Sequence, residues 1–405
     1  MNSVQPSITL RTVPSIHEVA AGVWDSLANP DPATRNPFLS HAFLSALEDS
    51  GSAVSETGWQ ALHLILECGN DILGAAPLYV KSHSQGEYVF DHSWAHALER
   101  AGGAYYPKLL CAVPFTPASG PRLLVGAGPQ ADHHRILLAR GMEQMMERLE
   151  VSSLHINFLT KREWQALGTQ NYLQRTDQQF HWLNKGYQTF DDFLSDLSSR
   201  KRKQIKKERR EALANGIEVK ILRGNTLTET ALDAFYGFYM DTGMRKWGSP
   251  YLTRTFFSLM RDRMADDVAL VMCYREDRAI AGALNFVGGD TLYGRNWGAL
   301  EHHKFLHFEA CYYQAIEFAI ENGLKKVEAG AQGAHKLARG YVPCTTYSAH
   351  LIAHEGFREA VADFLEHERK AVQEEQSYLR AHAPFAKDRY SFESDDITPE
   401  DAGDF

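Results

Sequence analysis

The stretch from Tyr293 to His350 holds the densest set of side chains able to do chemistry. It contains Tyr293-Gly-Arg-Asn-Trp-Gly, Leu306-His-Phe-Glu-Ala-Cys-Tyr-Tyr-Gln, Glu328-Ala-Gly-Ala-Gln-Gly-Ala-His-Lys-Leu-Ala-Arg-Gly and Thr345-Thr-Tyr-Ser-Ala-His. Polar and charged groups at the ends of consecutive strands and at a helix start tend to line one cleft. The loop from Gly330 to Lys336 follows a strand. Its glycines admit unusual backbone angles, and Gln332, His335, Lys336 and Arg339 project from it or from the next turn. A cation there suits phosphate binding, or the oxyanion of a tetrahedral acyl-transfer intermediate. The plainer alternative is a solvated loop with ordinary surface charge, but cations clustered with glycines at a strand end favour function.

Glu309 has two readings. At about 100° per residue, Gln314, Glu317 and Glu321 share one side of a helix starting near Leu306, while Glu309 falls opposite with Tyr313, Ile316 and Ile320. A carboxylate on an apolar face must be paired, stabilised by the helix N-terminus, or neutral. It either orients or deprotonates an incoming amine or satisfies first-turn N–H groups, and both stay open. His302, His303 and His307 lie close together, but nothing nearby completes a metal-ligand spacing, so no metal is expected. His155 and His181 alternate with apolar neighbours and read as core or pocket-wall residues.

In the first half, Tyr105-Tyr-Pro-Lys and Pro114-Phe-Thr-Pro-Ala-Ser-Gly-Pro-Arg form two loops ending in Lys108 and Arg122. These suit either a substrate carrying rings and phosphates or plain loop packing. Between Arg200 and Arg210, eight of eleven residues are Lys or Arg and one is Glu, on a chain of net charge −9. One basic island on an acidic protein implies one place for anions, and the overall charge argues against general nucleic-acid binding. Arg200, Lys201, Arg202, Lys203 and Lys206 are the candidate phosphate or tRNA contacts.

The elements that would position these groups come in two similar blocks. Leu62–Cys68, a turn at Gly69-Asn-Asp, Ile72–Val80 and a third strand near Tyr88–Trp94 are followed by a helix (Asp132–Leu149) and a strand (Leu154–Phe158). Val268–Tyr274, a turn, Ala279–Val287, a strand from Thr291 to Trp297, a helix (Phe308–Asn322) and a strand from Lys326 repeat that order. Ile-Leu-Gly-Ala at 72–75 aligns with Ile-Ala-Gly-Ala at 280–283, and Trp94 with Trp297. A tandem α+β duplication is the expectation, with mixed, mainly antiparallel sheets. At 405 residues two domains are the default. They are placed at 1–186 and 187–388, the second opening with a short helix (Tyr187–Ser198) and a basic helix over 198–214. The stretch 389–405 is read as an acidic, disordered tail: its last fifteen residues hold six acids and no base.

Five cysteines without a CxxC pair argue against disulfides and zinc. No apolar run reaches the roughly 20 residues of a bilayer span, and the N-terminus lacks signal-peptide features. A reducing, cytoplasmic setting is expected.

The motifs at Tyr293, Leu306, Gly330 to Gly340 and Ser348-Ala-His, with weaker matches at Pro107-Lys, Pro114-Phe-Thr-Pro and Trp247-Gly-Ser-Pro-Tyr-Leu, resemble the FemAB-like (peptidoglycan biosynthesis/recognition) branch of the GNAT acyltransferase superfamily over nearly the whole chain. The resemblance implies two tandem GNAT-like domains and transfer of an acyl or aminoacyl group to an amine, such as one on a cell-wall precursor. Better-understood Fem aminoacyltransferases take the amino acid from aminoacyl-tRNA and use a lysine near the end of the second domain, a place Lys336 occupies here. In CoA-dependent GNAT enzymes the pyrophosphate loop reads Gln/Arg-x-x-Gly-x-Gly/Ala; Arg295-Asn-Trp-Gly-Ala-Leu lacks the final small residue. The expected co-substrate is therefore aminoacyl-tRNA or acyl-CoA, with no tightly bound cofactor. In this reading Lys336, Glu309 and His307 are catalytic, while Lys108, Arg122, Tyr293, Arg295, Trp297, Tyr313, Gln332 and Arg339 bind substrate. A non-catalytic precursor-recognition module and a CoA-dependent small-molecule N-acetyltransferase are the alternatives. The sequence leaves the oligomeric state open.

Overall fold

The computed structural model describes residues 7–246, 250–330 and 333–386. A four-stranded antiparallel sheet orders β1 (Ile8–Val13), β3 (His63–Cys68), β4 (Asp71–Ala76) and β7 (Leu124–Val125). An eleven-stranded mixed sheet runs β10 (Ile217–Leu222), β11 (Val268–Arg275), β12 (Arg278–Val287), β13 (Thr291–Ala299), β14 (Lys326–Glu328), β9 (Leu173–Leu183), β15 (Val342–Ile352), β8 (Ser153–Leu159), β6 (Lys108–Cys111), β5 (Leu78–Lys81) and β2 (Trp59–Ala61). This is the α+β, mainly antiparallel architecture expected from the two blocks. β9 and β15 pair with each other over nine residues and so link β8 of the first block to β14 of the second, while the β3–β4 hairpin stays in the four-stranded sheet.

The meander hairpins form where apolar runs separated by tight turns predict them, β3–β4 and β11–β12–β13. The third strand of the first block does not. His92–Arg100 is a helix instead, because Trp94, Ala95 and Leu98 recur at helical spacing and bury one face. Trp94 therefore has no structural counterpart in Trp297. It packs edge-on against His350, with ring centroids 5.0 Å apart.

The main apolar core draws on both halves: Phe38 and Phe43 of the first lie against Phe256, Phe286 and Tyr293 of the second. The backbone of β13 comes so close to the helix Glu229–Lys246 that a methyl at Gly298 would meet the Phe238 carbonyl at 2.2 Å.

The Pro/Gly-rich loop ending at Arg122 is tied down by Glu163, which is 2% exposed. Its carboxylate accepts from Arg122 N (2.9 Å), Leu123 N (2.7 Å) and Thr160 N (3.1 Å), while Thr160 caps the same helix start. Glu163→Ala leaves buried N–H groups without an acceptor. We expect a loss of about 3 kcal/mol, read as a lower urea midpoint at unchanged slope.

Candidate functional site

β13 and β14 run parallel and pair over three positions only, Thr291 with Lys326, Leu292 with Val327 and Tyr293 with Glu328. β14 then ends, while β13 continues to Ala299, paired with β12 along its other edge. Beyond Tyr293 and Glu328 the two strands part in a wedge.

Two sets of side chains meet at the wedge. Residues paired in register share a sheet face. Tyr293, Glu328 and His181 therefore lie on one face, and Gln179, two residues along β9, joins them. Loops of the first block cover this face: Gln179 Nε2 donates to Pro117 O at 2.6 Å, and Arg295 donates to Phe115 O while lying over the Tyr88 ring. Glu328 is 3% exposed. One oxygen accepts from Lys326 Nζ at 2.8 Å, whereas Oε2 has no hydrogen-bond partner among the described residues. Despite burial, the Lys326 ammonium holds this carboxyl below its ordinary value, so it is a carboxylate. Burial pushes His181 down to about 4, leaving it neutral, and lowers Arg295.

On the other face, Lys336 sits in a short helical turn (Ala334–Arg339) and is 4% exposed. Its Nζ donates to Ala329 O (2.6 Å) and Gly330 O (3.0 Å), the two residues that follow Glu328. An ammonium has three donors, so one remains without an acceptor among the described residues. Burial lowers Lys336 from 10.5 to about 8. Trp297 and His307 pack against each other with ring centroids 5.2 Å apart and planes tilted by 59°, and Tyr312 shares a 3.0 Å hydrogen bond with His335. A β-bulge at Leu284/Asn285, opposite Gly294 and Asn296, lets Arg295 and Trp297 turn to opposite faces although they are two residues apart.

Several expected site residues are not at this surface. Glu309 is fully buried, as its helical phase implied, in a five-residue π-helical segment (Glu309–Tyr313) between two α-helical pieces. Its carboxylate accepts from Arg209 Nη2 (2.9 Å) and Nε (3.1 Å) and from Gln314 Nε2 (2.8 Å). Those lone pairs are engaged, so the amine-base role does not fit this geometry. Tyr313 donates to Glu208, which also accepts from Arg339 Nη2 at 2.9 Å, and Arg339 lies 3.4 Å over the Phe308 ring. The basic helix (Ser199–Ala212) thus clamps the π segment and the Lys336 turn through Glu208 and Arg209. On its outer side Arg200, Lys203 and Lys206 are exposed and Lys201 and Arg202 half-buried.

Lys108 and Arg122, placed from sequence on substrate-facing loops, are both 0% exposed. Arg122 donates to the carbonyls of Asn157 (2.8 Å), Ala118 (2.8 Å) and Gly120 (3.0 Å) and braces its own loop. Lys108 Nζ donates to Ser84 Oγ (2.7 Å), Glu87 (2.8 Å) and Asp91. Beyond Asp91 the network continues through Tyr105 and His155 to His350, joined Nδ1 to Nδ1 at 2.7 Å, and to Ser348 at 3.0 Å. Burial holds both imidazoles neutral. Glu87 and Asp91 carried no separate signal in the sequence, whereas Ser348 and His350 stood in the Ser348-Ala-His motif; the structure joins them through Lys108, Tyr105 and His155. Gln332 lies outside the described residues. No His/Cys/Asp/Glu group among the described residues could hold a metal ion.

The model of the FemAB-like family, described as peptidoglycan biosynthesis/recognition, matches residues 15–387. The chain belongs to the FemAB-like family. Its fold is that of solved relatives at low identity. A crystal structure of FemX is 12% identical, covers 87% of this chain and 100% of its own, and has a TM-score of 0.52. A conserved protein of unknown function from Bacteroides thetaiotaomicron is 9% identical over 85% and 100%, TM-score 0.51. L-PGS from Bacillus licheniformis is 8% identical over 82% and 98%, TM-score 0.50. No curated protein matches the chain at a significant level. Among the described residues of this FemAB-like protein, no helix is long and apolar enough to cross a membrane.

Proposed function

We propose that this FemAB-like protein is an N-acyl or aminoacyl transferase whose acceptor is an amine on a peptidoglycan precursor and whose donor is aminoacyl-tRNA or acyl-CoA. The observation that carries the reading is the β13–β14 wedge, with the unpartnered Glu328 oxygen on one side and the Lys336 ammonium one residue beyond on the other. In this reading the amine nitrogen attacks the donor carbonyl carbon directly, and the C–O or C–S bond to the donor breaks as the tetrahedral intermediate collapses. The free N–H of Lys336 stabilises the oxyanion. Glu328 anchors the acceptor as its ammonium and takes one proton from it, which frees the nitrogen lone pair for attack; the second proton, lost by that nitrogen as the tetrahedral intermediate collapses, passes to the departing oxygen or sulfur. Arg295 and the Trp297–His307 pair hold the donor, and alignment of two substrates in the wedge supplies part of the rate.

The test is thermal stabilisation by acetyl-CoA, by a charged-tRNA mixture and by a UDP-linked cell-wall precursor, followed by turnover of whichever pair binds. Glu328→Gln keeps the shape and removes the charge, so we expect its folded state to survive with precursor stabilisation lost. Stabilisation by acetyl-CoA alone would favour a small-molecule N-acetyltransferase. Precursor binding with no turnover would favour a recognition module.

A further inference from the structure

The outer face of the basic helix has no partner for most of its charge. Lys206 pairs with Asp191 and Lys207 with Glu211, but among the described residues Arg200, Arg202, Lys203 and Arg210 make no ion pair. Like charges one turn apart on a helix destabilise it unless a counter-charge is near. The inner face, by contrast, is saturated by Ile205, Glu208 and Arg209.

The chain supplies a counter-charge at the foot of this helix. Phe385 bridges Leu197, Ser198 N donates to Pro384 O at 2.9 Å, and Ala386 N donates to Asp196 O at 2.8 Å. The last described residue is therefore fixed beside the residues that lead into Ser199. From Lys387 to Phe405 the sequence runs nineteen residues more, with seven acids against Lys387 and Arg389. All six acids from Glu393 onward follow without an intervening base.

We propose that residues 391–405 dock along the outer face of the helix Ser199–Ala212 of the same chain, covering its free cations and competing with any anionic partner for them. Reach is ample. Nineteen residues span up to about 65 Å when extended, and a helix of this length is only about 21 Å long. Tethering raises the effective concentration of the acidic segment to the order of millimolar, enough to populate a contact that several weak ion pairs would not hold between separate molecules. A phosphate-rich ligand must then displace the segment, so the helix binds tightly only to polyanions that outcompete it. The contact is independent of the transferase reading and is measured without turnover.

The experiment compares the wild-type chain with a full-length variant whose six acids from Glu393 to Asp404 are changed to the corresponding amides. Acetylation of Lys201 and Lys203 by sulfosuccinimidyl acetate is followed by peptide mass spectrometry. At 20 mM salt we expect the wild type to react about threefold more slowly, and the difference to vanish at 0.5 M salt. A fluorescein-labelled dT20 probe should bind the amide variant about tenfold more tightly at low salt. Equal lysine reactivity in the two chains would overturn the proposal. Carbodiimide cross-linking of mixed 14N- and 15N-labelled wild-type protein gives the second readout. Links between tail carboxylates and helix lysines of the same isotope support it, whereas mixed links would mean that a second copy supplies the segment, and would overturn it.

Discussion

Lys336→Ala lowers turnover by about 10²–10³, the usual loss for one oxyanion donor, while the fold survives. The pH dependence distinguishes this from a structural role. Burial lowers the Lys336 ammonium from 10.5 to about 8. The charge that stabilises the oxyanion is present below pH 8 and is lost as pH rises through it, so the rate falls on that limb. Stability moves the other way. Between about 8 and 10.5 the unfolded chain holds a proton that the folded chain has released, and folding therefore gains from rising pH in that window. A rate that falls while the melting temperature holds or rises, with both trends absent in Lys336→Ala, identifies the lysine as the titrating group. Lys336→Arg keeps the charge at every accessible pH, so its residual activity should lose the alkaline limb. An unchanged alkaline limb in Lys336→Ala, or turnover within a few-fold of wild type, sinks the assignment.

How much of this was legible in the sequence differs by residue. The helical phase of Glu309 announced a buried carboxylate, and burial is what the structure shows; its partner Arg209, 100 residues earlier, was hidden because no local pattern links them. Lys336 was singled out from glycines and cations at a strand end, and its two carbonyl acceptors lie within that same loop. Glu328 stood in view as the last residue of a strand, but its significance depends on where β13 and β14 separate, a matter of register between segments more than thirty residues apart. The hairpins came through because an apolar run bounded by turn residues is a local signal. Trp94 was misplaced because a short apolar run bounded by turn residues fits a strand or a helix until its burial is known.

The burial of Lys108 carries the largest stability effect. A lysine after Tyr-Tyr-Pro looks like a loop cation. β6 instead carries it onto the sheet face opposite Lys81, where Glu87 and Asp91 close around it. Lys108→Met preserves volume and removes the one ammonium in direct contact with both carboxylates, since Lys81 stays 4.0 Å from Glu87. Breaking one member of a buried ionic group costs about 3–5 kcal/mol, and that is the expected drop in unfolding free energy at pH 7.5. The sign with pH follows from the two acids. Even in the wild type Glu87 is raised to about 7 by burial, so its contribution is present below its unfolded value of 4.5 and is lost as pH rises through 7. Asp91 is depressed chiefly by Lys108, against the opposing effect of burial; its contribution is present above 3.8 and lost in acid. Without Lys108 both carboxyls rise, Glu87 further and Asp91 from its depressed value, and both can protonate in mild acid. The deficit of Lys108→Met should therefore shrink from pH 7.5 to pH 5. A ligand-binding Lys108 predicts the opposite pattern: little stability change at either pH, and weaker binding of a phosphate-bearing precursor. The two outcomes separate a lysine that holds the first-block loops on the sheet from one that holds a substrate.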